Sequence, residues 1–479
     1  MTFDFRSANK MKSFFEELSY NHDNIRRKHR YYWDEITHYC NYFSVDNLNI
    51  LEIGCGTGDL IANLKGNLKI GIDFSPKMIE IARRKYPLIE FQVMHAEKIE
   101  LNQKFDLIIL SNLIGYLSDI QLVFHEIKKN CHSQTKIIIT YYNHLWEPIL
   151  KFGEFIGLKK KTPIQNWLTH TDVRNLLYLE GFEVYRESKR MLLPIYFPLF
   201  SNLINKYISK LPLIKLLNLN NYSFAKPTES LIHEIDPISN YSVSIIIPAR
   251  NESGNIENGL LRIPKFGKSQ EIIYVEGNST DDTWDRITKV ASKYSETHNI
   301  VIAKQDGKGK NDAVKKGFSL ATGEILMILD ADLTVPPEDL PKFYEAILTS
   351  KGDFINGCRL VYPMEKQAMR FLNIIGNKFF SIIFTWLLDQ PLKDTLCGTK
   401  VMFRSDYLNL EKNRSFFGDF DPFGDYDLLF GAFKLNLKIV ELPIRYRERT
   451  YGETNISRFK HGMILMRMCI FAARKIKFI

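Results

Sequence analysis

Short apolar runs rich in β-branched residues alternate with helix-length segments between Leu48 and Asn143. The runs read LNILEIG, KIGIDFS, IEFQVMHA, FDLIILSNL and TKIIITYYN. Strands of this kind separated by helical stretches are typical of a parallel sheet covered by helices. The first part of the chain is therefore predicted to be an α/β domain.

The same rhythm restarts at Val243, with the runs VSIIIPAR, QEIIYVEG, NIVIAKQ and EILMILDAD. Residues 225–240, AKPTESLIHEIDPISN, are polar, contain two prolines and show no sustained period, as an interdomain linker would. A chain of 479 residues also exceeds what one hydrophobic core usually supports. We predict an α/β fold with two doubly wound domains, residues 1–225 and 241–479, joined by a linker at 226–240.

Composition narrows the class of protein. The net charge of +9 suits an anionic partner such as a nucleotide diphosphate, a lipid phosphate or an acidic membrane surface. No basic stripe with interleaved aromatic residues is present, so a nucleic-acid partner is not expected. The six cysteines lack zinc-site or disulfide spacing, the N-terminus lacks the apolar core of a secretion signal, and no apolar run is long enough to span a bilayer. These features favour a cytoplasmic protein.

Three apolar segments leave membrane contact open. Residues 191–219 are apolar but interrupted by three prolines, and either lie on a membrane or form a helical cap on the first sheet. Residues 366–389 and 463–479 combine apolar faces with cationic ends, which suits either core packing or a membrane interface. Peripheral association with the inner face of the cell membrane remains an alternative.

A glycine-rich loop, Gly54-Cys55-Gly56-Thr57-Gly58, follows Glu52 and Ile53 at the end of the first strand. Glycines let the backbone turn tightly and approach a ligand at the N-terminus of the next helix. Asp73 ends the second strand, about 20 residues past the glycines, where a carboxylate can accept hydrogen bonds from a ribose. A dinucleotide fingerprint would place its third glycine at Asp59, one position later.

This stretch resembles class I S-adenosylmethionine-dependent methyltransferases from about Asn47 through the GFEV strand that begins at Gly181. The resemblance implies that Gly54, Gly56 and Gly58 wrap the methionine part of S-adenosylmethionine, Glu52 supports that loop, Asp73 holds the ribose hydroxyls, Ala96 and Glu97 lie beside the adenine, and Asn112 faces the sulfonium. A methyl acceptor with a hydroxyl group would also need a base. His132 and His144 are candidates by position, and ordinary structural histidines are the alternative.

Asp330-Ala331-Asp332 closes the apolar strand ILMIL. Carboxylates two residues apart on an extended segment point the same way, so the pair can hold Mg²⁺ or Mn²⁺, and the metal can neutralise a leaving diphosphate. Further motifs follow other strands: PARNE at 248–252, EGNSTDDT at 276–283, and a loop in which Lys308 and Lys310 flank Gly309, suited to phosphate.

Together these motifs resemble a family-2 glycosyltransferase of the GT-A fold from about Tyr241 to the end. The nearest pattern is that of the dolichyl-phosphate mannose synthase group, through DADLTVPPEDL, DTLCGTK and ELPIRYRERTYGETNIS. The resemblance implies a nucleoside pocket of Pro248, Glu252, Glu276 and Asp281, a metal on Asp330 and Asp332, and donor diphosphate on Arg449. Asp394 matches the catalytic aspartate of that family, and Asp427 is a second candidate.

Two departures from that pattern are visible. Glu276-Gly277-Asn278 stands where the family has Asp-Asp-Gly, and Thr454-Asn455 stands where it has Ser-Lys.

The sequence as a whole predicts a bifunctional enzyme that methylates and glycosylates, with inverting transfer from a nucleotide sugar to a glycan or lipid-phosphate acceptor in cell-surface glycan synthesis. The alternative is a glycosyltransferase whose first domain only binds ligand as a scaffold.

Overall fold

The computed structural model describes residues 14–157, 161, 165–228, 231, 240–361, 371–412, 424–444, 446–447, 451 and 458–478. Contacts divide the chain into two compact units, one comprising Met1–Pro237 with Phe478–Ile479 and the other comprising Ile238–Lys477. Among the described residues, no helix is both long enough and apolar enough to cross a membrane.

The first unit is built on one sheet of seven strands. These are β1 (Asn49–Ile53), β2 (Leu68–Asp73), β3 (Glu90–Val93), β4 (Phe105–Ser111), β5 (Cys131–Tyr142), β6 (Phe182–Arg190) and β7 (Asn220–Pro227). The helices are α1 (His22–Lys28), α2 (Arg30–Tyr42), α3 (Asp59–Ala62), α4 (Pro76–Lys85), α5 (Ile120–Ile127), α6 (Glu147–Phe155), α7 (His170–Leu179) and α8 (Phe200–Lys206). The strand order is β3-β2-β1-β4-β5-β7-β6. β7 runs antiparallel to both of its neighbours, β5 and β6.

The second unit repeats this plan with its own sheet. Its strands are β8 (Val243–Ala249), β9 (Gln270–Glu276), β10 (Asn299–Lys304), β11 (Ile325–Ile328), β12 (Phe354–Cys358), β13 (Lys400–Phe403) and β14 (Ile439–Pro443). Its helices are α9 (Ile256–Leu261), α10 (Thr283–Lys293), α11 (Lys310–Leu320), α12 (Leu340–Leu348), α13 (Phe371–Leu388), α14 (Arg404–Lys412), α15 (Asp425–Lys434) and α16 (Arg458–Ile476). The order is β10-β9-β8-β11-β13-β12-β14. β13 is antiparallel to both of its neighbours.

Central strands are buried on both faces, which explains their near-continuous apolar sequences. In β1, Ile50, Leu51 and Ile53 are all fully buried, because helices cover both sides of a parallel sheet. In the second unit, Ile245 and Ile246 on β8 are buried in the same way. The two predicted doubly wound α/β folds are confirmed.

Two features near the predicted linker differ from expectation. β7 extends to Pro227, so the first two residues assigned to the linker are strand residues, and Lys226 is fully buried. β7 itself was missed: its sequence NNYSFAKP is mostly polar, yet every residue is buried between β5 and β6. Most of the remaining linker, 229–230 and 232–239, lies outside the described residues.

Candidate active sites

Both sheets reverse their strand order at one point. In the first unit, β1 lies between β2 and β4, and in the second unit β8 lies between β9 and β11. Open α/β sheets bind ligands in the crevice beyond the carboxyl ends of the strands at such a reversal. The glycine loop follows β1 and Asn112 follows β4, whereas the PARNE segment includes the end of β8 and the Asp330 motif follows β11. Topology therefore brings each set of predicted residues to a ligand-binding edge.

The glycine loop needs its glycines for two physical reasons. Gly54, Gly56 and Gly58 all have positive φ, at 74°, 53° and 82°, where other residues are strained. A Cβ on Gly58 would also lie 2.6 Å from Cζ of Phe91, and one on Gly54 would lie 2.8 Å from Cδ1 of Leu113. The loop conformation is thus dictated by the sequence.

Two buried carboxylates support this loop. One Asp73 oxygen accepts a hydrogen bond from the backbone N–H of Gly56 at 3.0 Å, and the other accepts from Ser75 at 2.9 Å. Glu52 accepts from the N–H of Ile61 in α3 at 3.0 Å. Burial raises the pKa of Asp73 and raises that of Glu52 to about 8. Each carboxylate oxygen of Asp73 keeps a second acceptor position for a ribose hydroxyl.

Asn112 occupies a polar network above β4. Its φ of 51° turns the chain, its side chain donates to the Tyr32 hydroxyl at 2.7 Å, and it accepts from the Thr140 hydroxyl at 3.2 Å. Tyr32 in turn donates to the Asn220 amide oxygen at 3.0 Å. Tyr32 belongs to α2 and was missed, since nothing in the helix sequence points toward this edge.

The predicted adenine-side residues follow β3. Ala96 and Glu97 form a turn that the Lys98 N–H closes by donating to the His95 carbonyl at 3.0 Å. Ala96 packs against the main apolar core of the unit, and burial raises the pKa of Glu97. The His95 ring lies 5.8 Å from that of Phe74, the residue after Asp73, so this turn lies near the end of β2.

α1 covers the glycine loop, which the sequence did not reveal. The Thr57 hydroxyl lies 3.1 Å from Nδ1 of His22 and from a carboxylate oxygen of Asp23. His22, Asp23 and Asp59 come close enough to hold a metal ion. Lys85 Nζ already pairs with both carboxylates, at 3.0 and 2.7 Å, and Arg26 Nε lies 3.5 Å from Asp59, so two cations of the protein balance the two carboxylates.

The two histidines considered for methyl transfer lie at opposite ends of β5. His132 is at the amino end and bonds Asp106 at 3.0 Å, so it is remote from the carboxyl edge and is wrong as a base. His144 follows the carboxyl end. His170, missed by sequence reasoning, also lies there, with Nδ1 2.9 Å from the Tyr141 hydroxyl. Burial lowers the pKa of His170 to about 4, so it is neutral near pH 7.

In the second unit, the predicted nucleoside residues occupy adjoining loops. Pro248 lies near the end of β8, next to the end of β9, where Glu276 accepts from the Ser279 N–H at 2.5 Å. The Thr283 hydroxyl accepts from the Glu252 N–H at 2.9 Å and donates to Asp281 at 2.5 Å. These four residues are brought together at one edge of the sheet.

Cations and carboxylates alternate around the Asp330 motif. Lys310 Nζ lies 2.5 Å from Asp330, and although burial opposes it, the charges of Asp330 and Asp425 raise the pKa of Lys310. Asp332 accepts from the hydroxyl and N–H of Thr334, at 2.8 and 3.1 Å. Gly398 permits the close packing, because a Cβ there would lie 2.1 Å from Asp330 Oδ2. Lys308, by contrast, is exposed.

Asp394 is completely buried in an ion pair with Arg359. Arg359 donates through Nε at 2.7 Å, through Nη2 at 2.8 Å and through its backbone N–H at 2.9 Å. Asn377 on α13 and the Leu396 N–H donate at 2.8 and 3.2 Å. Burial alone would raise the pKa of Asp394, but Arg359 lowers it to about 2. A carboxylate with that pKa and these partners is a weak proton acceptor.

Asp427, the second candidate base, lies in the buried first turn of α15. Two residues earlier, Asp425 accepts from Lys400 at 2.7 Å, and that lysine is fully buried. Arg449 and the Thr454–Asn455 pair lie outside the described residues. The neighbouring Arg447 N–H donates to the Thr334 carbonyl at 3.0 Å, and the Tyr451 hydroxyl lies 2.9 Å from that of Ser253.

Two family models match this chain. Residues 44–175 match the family model described as methyltransferase domain, and residues 244–410 match glycosyl transferase family 2. Residues 44–175 are thus similar to a methyltransferase domain, and residues 244–410 are similar to a family-2 glycosyltransferase domain. Both predicted resemblances, and their order along the chain, are confirmed.

Two proteins similar to part of this chain are named for sugar transfer involving dolichol phosphate or undecaprenyl phosphate. A dolichol-phosphate mannosyltransferase of Pyrococcus furiosus is 31% identical over 219 residues, covering 45% of this chain and 59% of the relative. An undecaprenyl-phosphate 4-deoxy-4-formamido-L-arabinose transferase of Pectobacterium atrosepticum is 38% identical over 115 residues, covering 23% of this chain and 34% of the relative. The chain thus spans less than two thirds of either relative.

Solved structures described as S-adenosylmethionine-dependent methyltransferases are similar to part of this chain. One from Thermotoga maritima, described as a possible histamine N-methyltransferase, is 15% identical, with 45% of this chain and 99% of that chain covered and a TM-score of 0.35.

Proposed function

We propose that the chain is a bifunctional transferase. The methyltransferase domain transfers a methyl group from S-adenosylmethionine, and the glycosyltransferase domain transfers a sugar from a nucleotide-sugar donor to a lipid phosphate. The observation that carries the proposal is that each domain places its own ligand-binding motif at the point where its strand order reverses. Fusion of the two activities suits sequential steps in the synthesis of one cell-surface glycan.

For methyl transfer, the protein mainly aligns the two substrates. Gly54, Gly56 and Gly58 present backbone close to the methionine portion of the cofactor, and Asp73 accepts from the ribose. Ala96 and Glu97 lie on the adenine side, and Asn112 lies toward the sulfonium. S-adenosylmethionine supplies the methyl group as an electrophile. A hydroxyl acceptor would find His144 at the same edge of the sheet as a proton acceptor, whereas His170, with its pKa lowered by burial to about 4, is a weak one.

For glycosyl transfer, Pro248, Glu252, Glu276 and Asp281 hold the nucleoside. Asp330 and Asp332 follow the apolar strand β11 and would provide carboxylate oxygens of the kind that Mg²⁺ and Mn²⁺ prefer, with the metal taking the place of Lys310 beside Asp330. The metal would supply charge neutralisation for the leaving diphosphate. Lys310, Lys308 and Arg449 supply cations for the same phosphates.

The surroundings of Asp394 favour a phosphate acceptor. A hydroxyl acceptor must lose a proton, whereas a phosphate is already ionised and needs no general base. Asp394, with a pKa of about 2, is poorly suited to take a proton at neutral pH, and it instead holds Arg359 in a fixed position. The names of the relatives, with dolichol phosphate and undecaprenyl phosphate, support the same acceptor class.

A panel of nucleotide sugars tests this proposal. We expect one donor to be consumed with an undecaprenyl or dolichyl phosphate acceptor, but not with the corresponding free alcohol. Activity should be lost in EDTA and in Asp332→Asn, and kept in Asp339→Asn, which alters a surface carboxylate paired with Lys342. Transfer to the alcohol, or full activity in EDTA, would contradict the proposal.

The rival function is a glycosyltransferase whose methyltransferase domain serves only as a scaffold. The complete glycine loop and the two free acceptor positions on Asp73 support a working cofactor site. Turnover of S-adenosylmethionine separates the two functions. A folded chain that binds the cofactor but methylates none of the acceptors offered would favour the scaffold.

A further inference from the structure

The methyltransferase domain carries a large exposed apolar surface, which we define as α6 with the preceding Leu145, together with residues 195–217. Its most exposed side chains are Phe155 at 86%, Leu199 at 84% and Leu213 at 82%. Contiguous apolar patches of this kind are rare on soluble monomers and mark sites of contact with a partner or a membrane. None of these residues is among those assigned above to the cofactor or among the candidate bases His144 and His170.

The two parts of the apolar surface are physically joined. Trp146, which precedes α6, donates from its indole N–H to the Leu217 carbonyl at 2.7 Å. Asn143 donates from its side chain to the carbonyls of Leu216 and Asn218, at 2.8 and 2.9 Å. The exposed side chains on both sides of these hydrogen bonds therefore belong to one surface.

α6 has no buried residue, although its sequence is apolar. Leu145, Ile149, Phe152 and Ile156 are spaced as one face of a helix, and all are exposed. A helix of nine residues gains little stability from its own hydrogen bonds, because isolated helices shorter than about 12–15 residues are marginal in water. Among the described residues, none covers this face.

The polar side chains of residues 195–218 turn inward: Ser201, Ser209 and Asn218 are buried, and Asn218 donates to the carbonyls of Lys189 and Ser209. The leucines and aromatic residues of this segment turn outward. Leu199 even has a φ of 67°, which non-glycine residues rarely adopt, while its side chain stays exposed.

The charges on the surface indicate what covers it. Residues 191–219 contain the exposed Lys206 and the half-buried Lys215 and no acidic residue, whereas Lys210 is buried. On or just after α6, Lys151 and Lys161 are exposed; Lys151 pairs with Glu147 at 2.5 Å, and Glu154 adds one further acidic side chain. Apolar side chains interspersed with lysines match the boundary of an anionic bilayer, where the rings and leucines enter the acyl region and the ammonium groups meet phosphates. A symmetric dimer would instead bring the same lysines face to face, and lysine is depleted at protein interfaces.

We propose that this apolar surface docks the methyltransferase domain on an anionic membrane. The inference is independent of the donor sugar and of the methyl acceptor. It would hold the cofactor-binding domain at the lipid surface, where a lipid-linked glycan is accessible.

The test uses the full chain with vesicles of phosphatidylcholine alone or mixed in equal parts with phosphatidylglycerol. Amide hydrogen exchange gives a local readout, since the α6 amides should exchange rapidly in solution. Peptides from 145–156 and 199–217 should become protected only with the mixed vesicles. Protein that binds vesicles without protection of these peptides would overturn the proposal.

Variants provide the second arm. The double variant Phe152→Ser, Phe155→Ser and the double variant Leu199→Ser, Leu203→Ser should each weaken vesicle binding about tenfold. Leu88→Ser, which alters an exposed leucine elsewhere in the same domain, is the control and should bind as the wild type does. Lipid-free dimers that dissociate in the two double variants, with vesicle binding unchanged, would show that a second copy covers the surface.

Discussion

Asp394→Asn should destabilise the glycosyltransferase domain rather than only remove a catalytic group. The substitution keeps the shape of the side chain but leaves Arg359 buried without its counter-charge, and its new amide N–H groups face the donors of Arg359 and Asn377. Removing one partner of a buried ion pair usually costs about 3–5 kcal/mol. A loss of this size is a large fraction of the stability of a typical domain.

The pKa of Asp394 gives a second route to the magnitude. The difference between the ordinary value of 3.8 and about 2 corresponds to about 2–3 kcal/mol of stability. Because the folded pKa is depressed, this contribution is present above the unfolded pKa and is lost as the pH falls through 2. The wild type should therefore lose stability between about pH 4 and pH 2, and Asp394→Asn should lose less over the same range.

The assay is urea unfolding followed by hydrogen exchange in peptides from β12 and β13, which report on the glycosyltransferase domain alone. Asp339→Asn is the matched control, since its pair with Lys342 is partly exposed and should be worth less than about 1 kcal/mol. If Asp394→Asn costs no more than the control, the ion pair does not stabilise the domain as described. A folded Asp394→Asn variant that loses only turnover would return Asp394 to the role of a base.

Three further predictions concern the two binding sites. Asp73→Ala should weaken S-adenosylmethionine binding at least about tenfold by calorimetry, since it removes charge-assisted ribose hydrogen bonds of about 1.5–3 kcal/mol each, and unchanged affinity would contradict the assignment. Lys310→Met should increase the affinity for Mn²⁺ in the absence of donor, because the cation that pairs with Asp330 is gone, and it should reduce the affinity for the donor. Calorimetry measures both affinities. Weaker Mn²⁺ binding would refute the idea that Lys310 competes with the metal for Asp330. Burial raises the pKa of Glu52 to about 8, so its neutral carboxyl stabilises the folded state fully below the unfolded pKa of 4.5, and this stability is lost as the pH rises through 8. The Tm of the methyltransferase domain should therefore fall between about pH 5 and pH 9, and Glu52→Gln should make that fall smaller. An equal fall in both proteins would count against a buried neutral carboxyl.

The sequence predicted the strands around each site because those strands are buried on both faces. In strands such as β1, β4 and β8 nearly every position is apolar, so the strand can be recognised without knowing which side chains point to which face of the sheet. β7 was missed because its polar side chains are buried through tertiary hydrogen bonds: the hydroxyl of Ser223, for example, lies 3.2 Å from that of Tyr141. The local sequence of β7 does not show which distant residues will form these hydrogen bonds.

The candidate sites show the same division. Glycines and aspartates at strand ends were visible, because the backbone geometry and the carboxyl edge of a sheet demand them. The partners that define the chemistry of Asp394 were not visible. Arg359 and Asn377 lie 35 and 17 residues away in sequence, and only the folding of β12 and α13 brings them together.

The most direct test of two activities in one chain is a product analysis with two single-site variants. The full chain receives S-adenosylmethionine with a labelled methyl group, the nucleotide sugar identified by the panel, Mg²⁺ and a polyprenyl phosphate, and the products are followed by mass spectrometry. We predict that the wild type forms glycosylated lipid and a methylated product, that Asp73→Ala loses only methylation, and that Asp332→Asn loses sugar transfer while still binding S-adenosylmethionine. Sugar transfer with no methylation of any glycan or lipid offered, or loss of sugar transfer in Asp73→Ala, would contradict two separate active sites.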